Sequence, residues 1–297
     1  MRKIIILICF ILACVLFISC SKKGTKIENQ NEKAENSVPL RIVSLSPAAT
    51  EILFAISAQD KIVARTDLCD YPKEAEKIPS VGGFDGKLFS LENIISFKPD
   101  FVYLTAVMHT HLIEPLKSYG IRVYVSNAQS LDDILKEIED IAEITGYKEN
   151  GKICVENIRS EFLQAEREVK DLNLDKPLSV YWEVWSSPYM SVGSGSFLNE
   201  LIQKAGLHNI FGEMPQAYPA VSEESIIALN PDIIIFPSDS NLSEVDFSNR
   251  NSWKNISAVK NNRIYCIDAD LMTRPGPRIG KASLSLSELA KNAVEKR

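Results

Sequence analysis

The chain has 297 residues, 45% hydrophobic and 24% charged, an ordinary globular composition with room for two domains or one large one. A formal net charge of -6 argues against a nucleic-acid partner, whose binders carry a basic face. Cys9, Cys14 and Cys20 fall near the N-terminus; the remaining Cys69, Cys154 and Cys266 are odd in number and cannot complete a disulfide framework.

At the N-terminus Arg2-Lys3 precede an apolar run from Ile4 to Ile18, too short for a stable membrane span and flanked as a signal peptide is. The run ends LFISCSKKG, and a cysteine after a small residue and before a polar stretch resembles the lipobox of bacterial lipoproteins. That resemblance implies a signal peptide over 1–19 and a lipid on Cys20. Phe17 and Ile18 depart from the usual box, Cys14 in ILAC is a competing site, and a plain cleaved signal peptide is the alternative. The stretch 20–38 has almost no apolar residues and reads as a flexible tether.

From Leu40 strands alternate with helices. RIVSLS reads as a strand, and Ser46-Pro47 starts a helix because Ser caps and Pro fits the first helical position. KIVART and IRVYVS read as further strands, so an α/β lobe with a mainly parallel sheet is expected over 39–148. Two helical patterns follow, SLDDILKEIEDIAEITG and KICVENIRSEFLQAEREVKDLN, with apolar residues such as Ile134, Ile138, Ile141, Ile158 and Phe162 at helical spacing. A long bridging helix is expected over 149–176. Beyond Pro177 the alternation resumes with LSVYWEVW, a helix from about Ser196, and IYCID, giving a second α/β lobe over 177–297. A continuous helix between lobes bends less easily than paired loops, so little closure on a ligand is expected.

One segment occurs twice. SLENIISFKPDFVYL, from Ser90, returns 132 residues later as SEESIIALNPDIIIF, from Ser222. In both, a Ser can cap a helix, a Pro stops it, and an aliphatic run forms a buried strand. Two lobes of similar build with a cleft between them follow from a repeat this widely spaced.

At RIVSLSPAATEILFAI, DLCDYPKEAEKIPSVGGFDG, the SLENIISFKPD copy and RPGPRIGKA, the sequence resembles bacterial ABC-importer binding proteins of the class with a rigid helical backbone. The members it most resembles bind vitamin B12; others bind ferric siderophores or haem. The resemblance implies two Rossmann-like lobes, a ligand cleft between them, and a corrinoid or other metal-containing macrocycle as transported ligand, not cofactor. Its implied partners are a permease dimer with ATPase subunits, and the protein would be monomeric and extracytoplasmic. In the vitamin B12 members one Glu per lobe docks on permease arginines, and the matching positions are Glu92 and Glu224. A Glu in a first helical turn also complements the helix dipole without any partner.

Ligands of α/β sheets sit at the carboxyl ends of strands. The candidate walls are Tyr71 in CDYP, Phe84 in VGGFDG, the segment after FVYLT, Trp182 and Trp185 in VYWEVW, Tyr218 in QAYPAVS, and Arg274. Phe84 and Tyr218 stand where the vitamin B12 binders carry Trp, and smaller rings leave more room or suit another ligand. Trp182, on a strand, can equally be core. Arg274 and Arg278 in RPGPRIG can bond a phosphate or propionate, or tie their loop down. His109 and His111 could ligate iron or cobalt only if VMHTHL is extended, since only then do alternate residues share a face. No nearby Cys or acidic cluster supports a dedicated metal site. A hydrolase is the competing class, but SVGSGS lacks the Gly-x-Ser-x-Gly order and no His can be assigned to Ser194 or Ser196.

Overall fold

The computed structural model describes residues 38–39, 41–83 and 90–296. Cys20, most of the tether and Phe84 lie outside the described residues. Strand β1 (Ile42–Ser44) leads into helix α1 (Pro47–Ala55). Ser46 holds an extended backbone and its hydroxyl accepts from the Ala49 amide, while Pro47 takes the position where no amide hydrogen is required. There follow β2 (Ile62–Arg65), α2 (Leu91–Ser96), β3 (Phe101–Thr105), α3 (Ala106–Ser118) and β4 (Arg122–Ser126). All four strands are parallel, in the order β2-β1-β3-β4.

Helices α4 (Leu131–Thr145) and α5 (Lys148–Lys170) come next. Ser130 and Asp133 form a reciprocal capping box at the start of α4, and Gly146, at φ 83°, ends it. Helix α5 stops short of residue 176: Asn173 adopts φ 49°, a left-handed turn that Asn tolerates better than most residues.

The second lobe has β5 (Ser179–Trp182), a hairpin of β6 (Trp185–Ser186) and β7 (Tyr189–Met190), α6 (Phe197–Lys204), β8 (His208–Asn209) and α7 (Glu223–Leu229). It ends with β9 (Ile233–Pro237), α8 (Glu244–Asn249), α9 (Ser257–Lys260), β10 (Ile264–Ile267), α10 (Ala269–Thr273) and α11 (Ile279–Glu295). The main sheet is again parallel, ordered β10-β9-β5-β8. Read from the other edge, this is the first sheet with β8, β5, β9 and β10 standing for β2, β1, β3 and β4.

The duplicated segment occupies the same place in each lobe, α2 into β3 and α7 into β9. Ser90 accepts from the Asn93 amide and Ser222 from the Ser225 amide. Lys98 and Asn230, eight residues after each cap, both turn to positive φ before the proline.

Alternation along the strands explains how the lobes are joined. Ile42, Phe101 and Tyr103 of the first sheet, and Val180, Trp182, Ile233 and Ile235 of the second, point into one continuous core with Ile134 and Ile138 of α4, Ile158 of α5 and Leu286 of α11. Their neighbours Val43, Val102 and Leu104 enter a separate cluster on the outer face of the first sheet, and Tyr181, Ile234 and Phe236 enter another on the second. The lobes therefore share an interior, which agrees with the expected stiffness.

Close approach of α4 and α5 depends on Gly151, where an added Cβ would lie 2.4 Å from the Ala142 methyl. Gly151→Ala should destabilise the protein by about 1–3 kcal/mol, the usual range for overpacking. Urea denaturation checks this, and a neutral or stabilising result would contradict the tight helix pair.

Candidate functional site

All strands of each main sheet are parallel, so their carboxyl ends gather along one edge per lobe. The two edges meet. Arg274, which closes α10 just past β10, hydrogen-bonds the Asp70 carboxylate and the Leu68 carbonyl in the segment after β2, at 2.8 and 3.4 Å. Arg278 forks onto Glu51 of α1, Nε to Oε2 and Nη2 to Oε1, both at 2.7 Å. Arg274 adds a third contact to Glu51 at 3.1 Å and pairs with Asp270 at 2.7 Å. Glu51 is buried, so two guanidinium groups of the second lobe are what make its charge tolerable there. From the other side of the seam Glu200 of α6 accepts the Leu131 amide at the start of α4, at 2.8 Å.

Segments that follow strands of both lobes carry exposed aromatic residues. Tyr71 is 41% exposed, Trp185 61% and Tyr218 42%. Trp185 follows β5 on the β6–β7 hairpin, and its ring nitrogen donates to the Ser187 carbonyl at 2.9 Å. The hairpin is braced from below by a buried ion pair, Arg250 forked onto Glu183 at 2.6 and 2.7 Å, with the guanidinium 4.4 Å from the Phe247 and Trp253 rings and 5.2 Å from Tyr189. Tyr218 lies in a bend two residues before Ala220, which makes an isolated bridge to Met190 of β7.

Two expectations need correction, and a weak metal candidate is placed on a helix. Trp182 is 1% exposed and packs in the shared core, because on β5 it alternates with Tyr181 and faces inward. It offers no ligand wall. Arg274 meets three carboxylates of its own chain, so with Arg278 two cations face Glu51, Asp70 and Asp270; an added phosphate or propionate would enter a field already negative on balance. Arg274 and Arg278 are both inter-lobe ties. His109 and His111 sit on α3, where residues two apart point to different sides: His109 is buried, with the Thr105 amide donating to its Nδ1, and His111 is exposed. Among the described residues no group of three or more His, Cys, Asp or Glu could hold a metal ion.

The expected segment after FVYLT carries Val107 and Met108 just past β3, both exposed, Val107 at 88%; sequence reading missed the exposed Leu68 after β2. The position of Leu68 just past a strand was the available signal. It also missed Glu51, whose place in an apolar helix stripe marked it for a buried partner. Ser194 and Ser196 have structural duties: Ser194 Oγ donates to the Met214 carbonyl and Ser196 caps α6.

Glu92 and Glu224 are exposed in the first turns of α2 and α7. Since each helix descends to the amino end of the following strand, each amino terminus lies toward the carboxyl-end edge, the same side as the slot. The neighbour Glu223 is occupied, accepting from Trp253 Nε1 at 2.8 Å and from Ser252 Oγ.

Two parallel sheets on a common interior, with exposed aromatic residues on segments that follow strands of both, have the build of a two-lobed α/β binding protein. The family model described as periplasmic binding protein matches residues 42–271, and the chain belongs to that family. It is accordingly an extracytoplasmic binding protein and not an enzyme. It is 33% identical over 84% of its length to an uncharacterized ABC transporter substrate-binding lipoprotein of Bacillus subtilis, covering 79% of that protein. It is 29% identical over 86% of its length to a vitamin B12-binding protein of Vibrio parahaemolyticus, covering 91% of it. Among solved structures, a possible iron-binding periplasmic solute-binding protein of Staphylococcus epidermidis superposes with a TM-score of 0.75 at 29% identity, over 85% of this chain and 99% of that one. No helix among the described residues is long and apolar enough to cross a membrane.

Removing the charge that both arginines share should be costly. Glu51→Gln is expected to lower stability by about 3 kcal/mol, the scale of a broken buried ion pair, whereas Asp270→Asn, at a carboxylate 51% exposed, should cost less than about 1 kcal/mol. Partial burial would raise the Asp70 carboxyl, but the hydrogen bond and charge of Arg274 outweigh it and hold the group below 3.8. Its contribution is therefore complete above that value and is lost as pH falls through the lower folded value. Asp70→Asn should flatten the acid side of the stability profile, measured by denaturation at successive pH values.

Proposed function

We propose that this protein captures vitamin B12 or a related corrinoid outside the cytoplasm and delivers it to an ABC permease with its ATPase subunits. The observation that carries this reading is the trio of exposed rings, Tyr71, Trp185 and Tyr218, on segments that follow strands of both lobes. Flat apolar faces on both sides of a slot suit a planar macrocycle, and aromatic contact supplies affinity without requiring a metal ligand from the protein. Phe84 completes the wall in this reading. The vitamin B12-binding relative supports the corrinoid choice. A ferric siderophore or haem is the second reading, favoured by the possible iron-binding neighbour.

Glu92 and Glu224 dock the permease in this proposal. Equivalent caps place one carboxylate on each lobe, and a partner built from two similar subunits needs the same contact twice; Arg–carboxylate forks would supply orientation as well as affinity. The protein acts as a monomer, held near its membrane by a lipid on Cys20 and the tether that follows. The lipoprotein relative supports the anchor.

Mature protein incubated separately with cyanocobalamin, haemin and a ferric siderophore, then gel-filtered, should retain a corrinoid absorbance spectrum; retention of haemin or the siderophore alone would reverse the choice. Reversing charge at Glu92 and Glu224 together should abolish uptake while leaving ligand affinity unchanged, and persistent uptake would overturn the docking assignment.

A further inference from the structure

Tyr71 stands at the slot with few restraints of its own. Its ring is 41% exposed, and among the described residues no hydrogen bond holds its hydroxyl. It lines a cavity of about 590 Å³ together with Glu51, Phe54, Ile153, Glu161 and Arg278 itself, so the ring has open space beside it. What lies against the ring is the Arg278 guanidinium, its Cζ 4.0 Å from the ring centroid. That guanidinium cannot pivot freely. Its Nε and Nη2 both donate to the buried Glu51 carboxylate at 2.7 Å, which fixes the plane as well as the position of the cation.

We infer that Arg278 is a positioning residue for the ligand site: through its fork on Glu51 it presents a fixed flat cation that holds the Tyr71 ring in one orientation at the cavity wall the two side chains share. The inference rests on the reading of Tyr71 as a slot wall. A lysine at 278 could still meet the Glu51 charge, but it would offer no planar face and no fork, so the ring would lose its support while the inter-lobe charge pairing persists. Slot shape is thereby set by a residue that need not touch the ligand, and the same side chain that ties the lobes together also shapes what they hold.

The test uses the full mature chain labelled with 3-fluorotyrosine, with Tyr71→Phe to assign the signal. In ligand-free wild type the Tyr71 fluorine resonance should be single, and in R278K it should shift and broaden as the ring samples the cavity. An unchanged Tyr71 resonance in a folded R278K protein would overturn the inference. With cyanocobalamin as probe, R278K should weaken binding by about fivefold, the scale of one cation–π contact, and should cause no further loss in a Tyr71→Ala background. Equal losses in both backgrounds would show Arg278 acting through the fold at large and not through Tyr71. If R278K does not fold, R278M keeps the aliphatic stem and serves in its place. Wild-type protein that retains no cyanocobalamin contradicts the corrinoid reading alone, and the fluorine spectrum then decides the positioning.

Discussion

The structure depends on one interior serving two sheets. Because strand residues alternate faces, β1 and β3 send every second side chain toward the same apolar volume that β5 and β9 fill from the other lobe, with α4, α5 and α11 closing it. Burial of residues such as Trp182, Ile138 and Leu286 stabilises both lobes at once, and a hinge motion would have to expose that surface at roughly 25 cal/mol for each Å². The edge where the sheets meet is consequently set by the fold itself.

Charge pairing refines what the core imposes. Carboxylates cross the seam in both directions: Glu51 of the first lobe receives Arg274 and Arg278 of the second, and Glu200 of the second caps α4. A buried ion pair is weak evidence for stability, since burial of its charges offsets much of the attraction, but it specifies geometry because a misplaced partner leaves a charge alone. That specificity is useful at a binding edge. It fixes the segments after β2 and β10, which carry Tyr71 and Arg274, with respect to each other.

Much of this was legible in the sequence where local chemistry decides structure. Ser46-Pro47 marked a helix start, and the two Ser-to-Pro segments marked equivalent helix-strand units, because capping and proline effects act within a few residues. Trp185 and Tyr218, candidate ligand walls in the sequence, are exposed. What escaped notice depended on distant partners. Trp182 and Trp185 sit three residues apart with opposite fates, which only the strand's register against the shared core decides. The condition set for the histidine pair, an extended segment, is not met because the chain after β3 turns helical at Ala106, so residues two apart diverge. Arg274 looked like an anion receptor because its carboxylates, Glu51 and Asp70, lie more than two hundred residues away in sequence.

If one interior holds both sheets, they must lose their structure together. Native-state hydrogen exchange tests this most directly, by comparing the slowest amides of β1 and β3 with those of β5 and β9 under increasing denaturant. The account predicts that both sets converge on the same opening free energy and the same denaturant dependence. A second lobe that exchanges while the first remains protected, or the reverse, would show two independent cores and contradict it.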